Sequence, residues 1–463
     1  MSHRINSILF LLVLATGMGL LYLVEPQEVS MDEKRRLASL PGFSWENYAS
    51  GSWADSIDRY INDQFPERNT LIRLASYLRS ARGLRRASEE KIIVIRKPGP
   101  APAPENQAGN PATDTAKEDL AGTENPEKTD SVPLIQVDFD EYFWRSLLIW
   151  NGRVFPLQGG SPKASAGFAR MLSEYAGRLK GKTRVFSAVP PLSSAFIPDE
   201  KYRKFHALNR KTLEGIRSNL SNGAIYCDVF SELDQHVNER LYFGSDHHWT
   251  ARGAYQGYAA FCKAAGFSPV PKENMDRKIR YKFLGSFYHL IRDKSIREHP
   301  DTFEYFVPRI STSAVRFGAS DFRAVKSGAF CHGCSGGNSY STFVCGDNPL
   351  MRITTANKNG RKAMVIKNSM GNAFAVYLIS HYEEVWVMDF RYSNHNLSDL
   401  IEKYQINDLI FSIGMHSAMS SGTIRRMRNL AFQHGAPPAP LPPVRKDSIQ
   451  KVPLRPAPSD SLK

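Results

Sequence analysis

The feature that most constrains this chain is an alternation: short apolar runs of strand length separated by segments whose apolar residues recur every three or four positions. Phe168, Met171, Leu172, Tyr175 and Leu179 share one helical face, and Val185-Phe186-Ser187-Ala188-Val189 follows as a buried strand. Leu208, Leu213, Ile216 and Leu220 mark a second helix, followed by a strand at Ala224-Ile225-Tyr226. Tyr255, Tyr258, Ala259 and Cys262 mark a third helix. Three further strand candidates lie at 363–366, 385–388 and 409–413, with helix-like segments near 373–379, 397–404 and 424–432. Strands that alternate with helices pack as a parallel sheet with helices on both faces. Ligands of such sheets bind at the carboxyl ends of the strands. The expected fold is therefore α/β, with a parallel sheet at its centre.

The flanks read differently. After His3 and Arg4, residues 8–24 carry no charge, at the short limit for a membrane-spanning helix. No Ala-x-Ala pattern follows, so an uncleaved signal anchor is expected (residues 1–24), with Arg4 on the cytoplasmic side and the rest exported. Residues 25–96 form a membrane-proximal helical segment continuous with the core. Trp53, Ile57, Tyr60 and Ile61 recur at helical spacing there, as do Leu71, Leu74 and Leu78, and Pro66 should end the first helix. Residues 97–133 are a Pro/Ala-rich flexible insertion, and 435–463 a disordered Pro-rich tail. Residues 134–434 remain as the main domain.

The formal charge is +14, but Lys and Arg are scattered, with runs no longer than Lys34-Arg35-Arg36. Without a zinc-finger, RNA-recognition or helix-turn-helix signature, this reads as a solvated basic surface, and no nucleic-acid partner is expected. Cysteines number five, so at least one is unpaired within the chain. Cys331-His332-Gly333-Cys334 resembles half a zinc site. A local disulfide in an oxidising compartment and plain loop cysteines are the alternatives.

Two segments carry chemistry. In Tyr242-Phe243-Gly244-Ser245-Asp246-His247-His248-Trp249-Thr250, Thr250 is a helix N-cap candidate. If the segment is extended, Asp246 and His248 share a face and His247 points away. A carboxylate beside an imidazole fixes its tautomer and stabilises the imidazolium, as an acyl-transfer base requires. The plain alternative is a loop in which Asp246 caps amides and the histidines are solvated. Metal binding by Asp246, His247 and His248 is a third reading. In Met364-Val365-Ile366-Lys367-Asn368-Ser369-Met370-Gly371-Asn372-Ala373-Phe374, a buried strand turns sharply into a helix. This places Ser369 at a strand's carboxyl end, like a nucleophile elbow without the Gly-x-Ser-x-Gly spelling. Amides at the helix start, with Asn368 or Asn372, would receive an oxyanion. The plain alternative makes Ser369 the helix cap.

Asp246-His247-His248-Trp249-Thr250 with the Gly-Ala-Tyr that follows resembles the signature of the DHHW family, which is similar to the SGNH-hydrolase-like proteins of alginate O-acetylation. Arg36-Leu37-Ala38 with Pro41, Asp63-Gln64-Phe65-Pro66 with Arg68, Asn338-Ser339-Tyr340-Ser341 with Phe343, Gly346-Asp347 and Asp389-Phe390-Arg391-Tyr392 add weaker matches. The resemblance implies an SGNH-hydrolase-like three-layer fold over 134–434. It also implies a catalytic Ser369, His248 and Asp246, without metal or cofactor. Asn368, Asn372, Trp249, Tyr242 and Arg391 make up the expected oxyanion and substrate-binding set. The implied activity is extracytoplasmic O-acetyl transfer to, or acetyl removal from, a cell-surface glycan, with a membrane-bound O-acyltransferase as possible donor. On the alternative reading, a weakly catalytic glycan-binding module, Trp249, Tyr242 and Tyr340 would stack on sugars. Related members often carry Lys-Asp-Ser-Tyr where this chain has Lys367-Asn368-Ser369-Met370, and Cys345 stands where a small residue such as Gly is expected.

Overall fold

The computed structural model describes residues 25–27, 29–30, 35–67, 70–71, 90–94 and 146–431, with Thr16 and Gly19. Apart from those two residues, the expected anchor run 8–24 lies outside the described residues. So do Leu74, Leu78, the insertion at 97–133 and the tail at 435–463. Among the described residues no helix is long and apolar enough to cross a membrane. The chain divides into two compact units, residues 1–71 with 94–144, and residues 72–93 with 145–463.

In the first unit, Ser44 caps the helix Trp45–Ala49, and a second helix covers Ser52–Gln64. It stops just before Pro66, whose ring and missing N–H cannot continue it. The Asp63 carboxylate accepts from the Ala38 N–H at 2.9 Å, and the Gln64 amide donates to the Ala38 carbonyl at 3.0 Å. The Asp-Gln-Phe-Pro break therefore clamps an earlier stretch of chain.

The second unit is built on eight strands. They are β1 (Arg184–Ser187), β2 (Ile225–Tyr226), β3 (Thr312–Phe317), β4 (Val325–Ser327), β5 (Leu350–Thr355), β6 (Lys362–Lys367), β7 (Glu384–Asp389) and β8 (Asp408–Ser412). Their spatial order is β4-β3-β5-β7-β6-β8-β1-β2. From β7 to β2 the neighbours pair in parallel. β5 pairs antiparallel with β7, and β3 and β4 continue antiparallel beyond it. The sheet is thus mixed, which corrects the expectation of a parallel one. Antiparallel partners need no helical crossover, so this edge lacks the strand–helix rhythm that marks the rest. Polar residues also interrupt β3 and β5, among them Ser313, Arg316, Arg352 and Thr354.

The helices that bear on the site are α1 (Pro162–Arg178), α2 (Arg203–Ser218), α3 (Ala251–Ala265), α4 (Met370–Ala375), α5 (Leu397–Tyr404), α6 (Met415–Met419) and α7 (Ser421–Asn429), with further short ones at Val229–Asp234, Ser286–Ile291 and Lys294–Glu298. β6 sends Ala363 and Val365 into one apolar cluster with α3 and α4 residues. It sends Met364 and Ile366 into another with α1, α2 and α5 residues. Because successive strand residues face opposite sides, the sheet is sandwiched between two helical layers. A separate hairpin, Met275–Phe283 with Asp301–Pro308, completes the part that matters for the site.

Candidate active site

The Asp246–His248 segment is not a strand. Tyr242 and Trp249 form an antiparallel bridge, and the residues between them make a tight loop. A buried carboxylate shapes that loop: Asp301 accepts from the Gly244 N–H, the Ser245 N–H and the Ser245 hydroxyl, at 2.7–3.0 Å, and Arg240 donates to it at 2.8 Å. Asp301 escaped sequence reasoning because a lone acid at a strand start carries no local pattern.

Within the loop, Asp246 Oδ1 accepts from the His248 N–H at 2.9 Å and from His248 Nδ1 at 2.6 Å. Its Oδ2 accepts from the Ser286 N–H at 2.8 Å. Burial on its own raises the Asp246 carboxyl, but the neighbouring His248 and His247 and these hydrogen bonds bring it well below the usual carboxylate range. An ionised carboxylate only accepts, so it holds the His248 proton on Nδ1 and leaves a lone pair on Nε2. That Nε2 is buried and has no hydrogen-bond partner.

His247 does not point away, as an extended segment would have it. Its ring lies 3.8 Å from the His248 ring, and its Nδ1 is 2.7 Å from Ser286 Oγ. The tight loop brings ligand atoms of Asp246, His247 and His248 within 4.8 Å of one another. The geometric objection to adjacent histidines, that they diverge along a strand, therefore does not apply here.

Ser369 follows β6 after one residue, Asn368, and opens α4, at φ −56 and ψ −27. This is relaxed helical backbone, not the strained turn of a nucleophile elbow. Asn368 does the capping: its Oδ1 accepts from the Met370 N–H at 3.1 Å and the Gly414 N–H at 3.2 Å, and its Nδ2 donates to Ser417 Oγ at 3.1 Å. Ser369 makes no side-chain cap bond, so its hydroxyl is not used as a cap. The Gly371 and Asn372 amides bond to the carbonyls of Asn368 and Ser369. With Met370 also taken, three of the helix-start amides expected to form an oxyanion hole are already committed.

Trp249 and Tyr340 tie the two segments together. Trp249 Nε1 donates to the Met370 carbonyl at 2.8 Å, and the Tyr340 hydroxyl lies 3.4 Å from the same oxygen. The Tyr340 ring stacks on His248, with centroids 3.7 Å apart and planes 10° apart. Ser369 Oγ and His248 Nε2 thus belong to neighbouring turns but share no hydrogen bond. Trp249, Tyr242 and Tyr340, expected as sugar contacts, are all core residues: Trp249 has 0% of its surface exposed and the tyrosines 3% each. Large apolar rings at helix and bridge positions pack inward, and these have no face left for a ligand.

Beneath the serine turn, at the ends of β6 and β7, four charges are sealed together. Lys367 Nζ, fully buried, lies 2.9 Å from Asp347 Oδ1 and 2.8 Å from Asp389 Oδ2. Arg391 is 2.8 Å from both Asp347 and Asp389. Its guanidinium is spent on these carboxylates rather than presented to a substrate. Asn372 Nδ2 donates to Asp347 Oδ1 at 2.8 Å, and its own Oδ1 is buried without a partner. Burial alone raises Asp347, yet Lys367 and Arg391 hold it far below the usual carboxylate range.

Cys331 and Cys334 are joined as a disulfide, which removes them as zinc ligands. Cys227, Cys262 and Cys345 are free. Cys345 occupies left-handed backbone at φ 51, which explains why a small residue such as Gly is expected there.

The fold and this site describe an α/β protein with an acid-paired histidine beside a serine turn at the sheet's carboxyl edge. The family model for DHHW protein matches residues 155–388, half of the chain, and the chain belongs to that family. A DHHW family protein from Eubacterium siraeum is similar at 30% identity, over 60% of this chain and 94% of its own, with a TM-score of 0.56. PatB1 of Bacillus cereus is similar in fold at 19% identity, over 60% and 98%, with a TM-score of 0.50. The O-acetyltransferase domain of Pseudomonas putida AlgJ aligns at 10% identity over 60% and 96%, with a TM-score of 0.32. Comparison with curated proteins found no match.

Proposed function

We propose that this protein is an extracytoplasmic O-acetyltransferase or acetylesterase acting on a cell-surface glycan through an acyl-serine. The observation that carries the reading is His248: Asp246 fixes its tautomer, and its buried Nε2 has no partner beside the Ser369 turn. A general base needs such a lone pair. The uncommitted hydroxyl of Ser369, with Asn368 taking the capping role, supports the same assignment. The family's similarity to alginate O-acetylation proteins supports acetyl as the group.

In this mechanism His248 Nε2 takes the Ser369 proton as Oγ attacks the acetyl carbonyl. The imidazolium returns that proton to the donor's leaving group. A glycan hydroxyl then attacks the acetyl-serine, His248 takes its proton and passes it to Ser369 Oγ as the serine leaves, which restores both residues. Water in place of the glycan gives the esterase. Catalytic hydrogen bonds are often long before substrate binds, so Ser369 and His248 close on substrate binding. Asn372 keeps a second Nδ2 hydrogen for the oxyanion. No metal or cofactor is used.

Residues 8–24 anchor the chain with its main domain on the exported side, where a membrane-bound O-acyltransferase supplies the acetyl group. The uncharged run behind Arg4 and a local disulfide, which persists in oxidising compartments, support this location. The alternative, a catalytically weak glycan-binding or assembly module, draws support from the open Ser369–His248 pair.

The test is mass spectrometry of the purified protein after incubation with an activated acetyl ester, with and without a chelator. An acetyl group on Ser369, absent in Ser369→Ala and His248→Ala and unaffected by chelation, is expected. No adduct and no turnover with several esters would sink the enzyme reading in favour of the binding module. Activity lost on chelation would instead point to a metal at Asp246, His247 and His248.

A further inference from the structure

Tyr340 sits in a short helical turn, Gly336–Thr342, far from His248 in sequence, yet its ring lies flat on the imidazole. The ring is packed in the core against Phe243 and Phe343, and the ends of its turn are gripped as well. The grip comes from the Cys331–Cys334 loop. The Cys331 N–H donates to the carbonyl of Thr342, the last residue of the turn, at 2.8 Å. Only Ser335 separates Cys334 from the turn's first residue, and the Cys334 N–H donates to the Cys331 carbonyl at 3.2 Å. The disulfide therefore ties the chain entering the turn to the residue that holds its exit.

Arg280 reinforces the same junction, donating to Thr342 Oγ1 and to the His332 carbonyl, each at 2.6 Å. The Tyr305 hydroxyl meets His332 Nδ1 at 3.0 Å. Phe330 bridges to Phe343, whose ring meets the edge of Tyr340. The loop is reachable: His332 and Gly333 are exposed and both cysteines are partly so, while Tyr340 is buried.

We infer that Tyr340 is a positioning residue for His248, and that the Cys331–Cys334 disulfide holds it against the imidazole, making the site sensitive to thiol reductants. This rests on the reading of His248 as the base. A dithiol delivers two electrons and two protons to the bridge, leaving Cys331 and Cys334 as thiols and itself as a disulfide. Cys227, Cys262 and Cys345 are already free thiols, so a reductant has this one target in the chain. Reduction leaves the entry and exit of the turn joined only by non-covalent contacts, and the Tyr340 ring is held less firmly over His248.

The experiment compares the oxidised and dithiol-reduced full chain, with thiol counts confirming the change. Two readouts are used: kcat/KM on an activated acetyl ester, and the His248 ring-proton shifts by NMR in an inactive Ser369→Ala background. Reduction is expected to lower kcat/KM roughly two- to tenfold, the scale of one lost aromatic contact, and to recover on reoxidation. Cys331→Ala with Cys334→Ala, and separately Tyr340→Ala, should show the lower value and no response to reductant. Tyr340→Phe, which keeps the ring, should keep both the rate and the response.

The ring current of Tyr340 shifts the His248 protons upfield, and that shift should shrink on reduction. Full reduction with both readouts unmoved would overturn the inference, as would a Tyr340→Ala protein that still answers to reductant. If no acyl transfer is detected at all, the functional reading fails, and the NMR arm alone still decides this one.

Discussion

At Ser369 the decisive neighbour is Asn368. One side chain accepts from two amides on different turns and donates to Ser417, which leaves the serine hydroxyl without a structural task. This explains how the chain tolerates its departure from Lys-Asp-Ser-Tyr. An aspartate keeps both acceptor bonds, and the Ser417 hydroxyl can reverse its role to donate. Asn368→Asp should therefore unfold in urea within about 1 kcal/mol of the parent. Asn368→Ala, which strands two buried amides, should lose roughly 1–3 kcal/mol. Asp246→Asn tests the other half of the site. It keeps the shape but removes the charge that fixes the His248 tautomer, and kcat on an acetyl ester should fall by about 10³–10⁴. The fold, followed by circular dichroism, should survive.

Between elements, the site depends on how closely α4 approaches β8. A methyl at Gly371 would lie 2.5 Å from both the Ser412 carbonyl oxygen and Lys367 Cβ. Backbone cannot yield as a flexible side chain does, so Gly371→Ala should cost about 1–3 kcal/mol in urea unfolding and displace the Ser369 turn. It should also lower Ser369 acetylation. These elements were largely visible in the sequence. Val185, Met364, Val387 and Ile410 fall in the strands their apolar runs predicted, and Leu397–Tyr404 is the helix its spacing predicted. What the pattern hid was tertiary: the antiparallel edge, the buried Asp301 beneath the Asp246–His248 loop, and Tyr340 over His248. The Asp246–His248 contact and the strand–turn–helix at Ser369 were legible because one motif and one apolar run marked them. The roles expected of Trp249, Tyr242 and Arg391 were not legible, because a ring or guanidinium that packs inward looks the same in sequence as one that faces a ligand.

Across the second unit, several carboxyls share one electrostatic condition. Burial raises Asp246, Asp347, Glu239, Asp293 and Glu304, but paired cations and hydrogen bonds bring each below the usual carboxylate range. A depressed carboxyl contributes stability that is complete above its unfolded value, near pH 4, and disappears as pH falls through its folded value. The midpoint of thermal unfolding should therefore hold steady from pH 7 to about pH 5 and drop steeply below about pH 4. Replacing Asp347 by Asn should flatten part of that drop while lowering stability at neutral pH, since it leaves Lys367 and Arg391 under-compensated.

The spatial order of the sheet has a consequence for biosynthesis. β6, the strand that leads into the Ser369 turn, lies between β7 and β8, both of which are made after it. As the chain emerges in order, Asp246 and His248 are synthesised first, then Ser369. The serine strand gains its second neighbour only when residue 408 has appeared. A nascent or truncated chain thus carries Asp246, His248 and Ser369 before the sheet that positions the serine turn is complete.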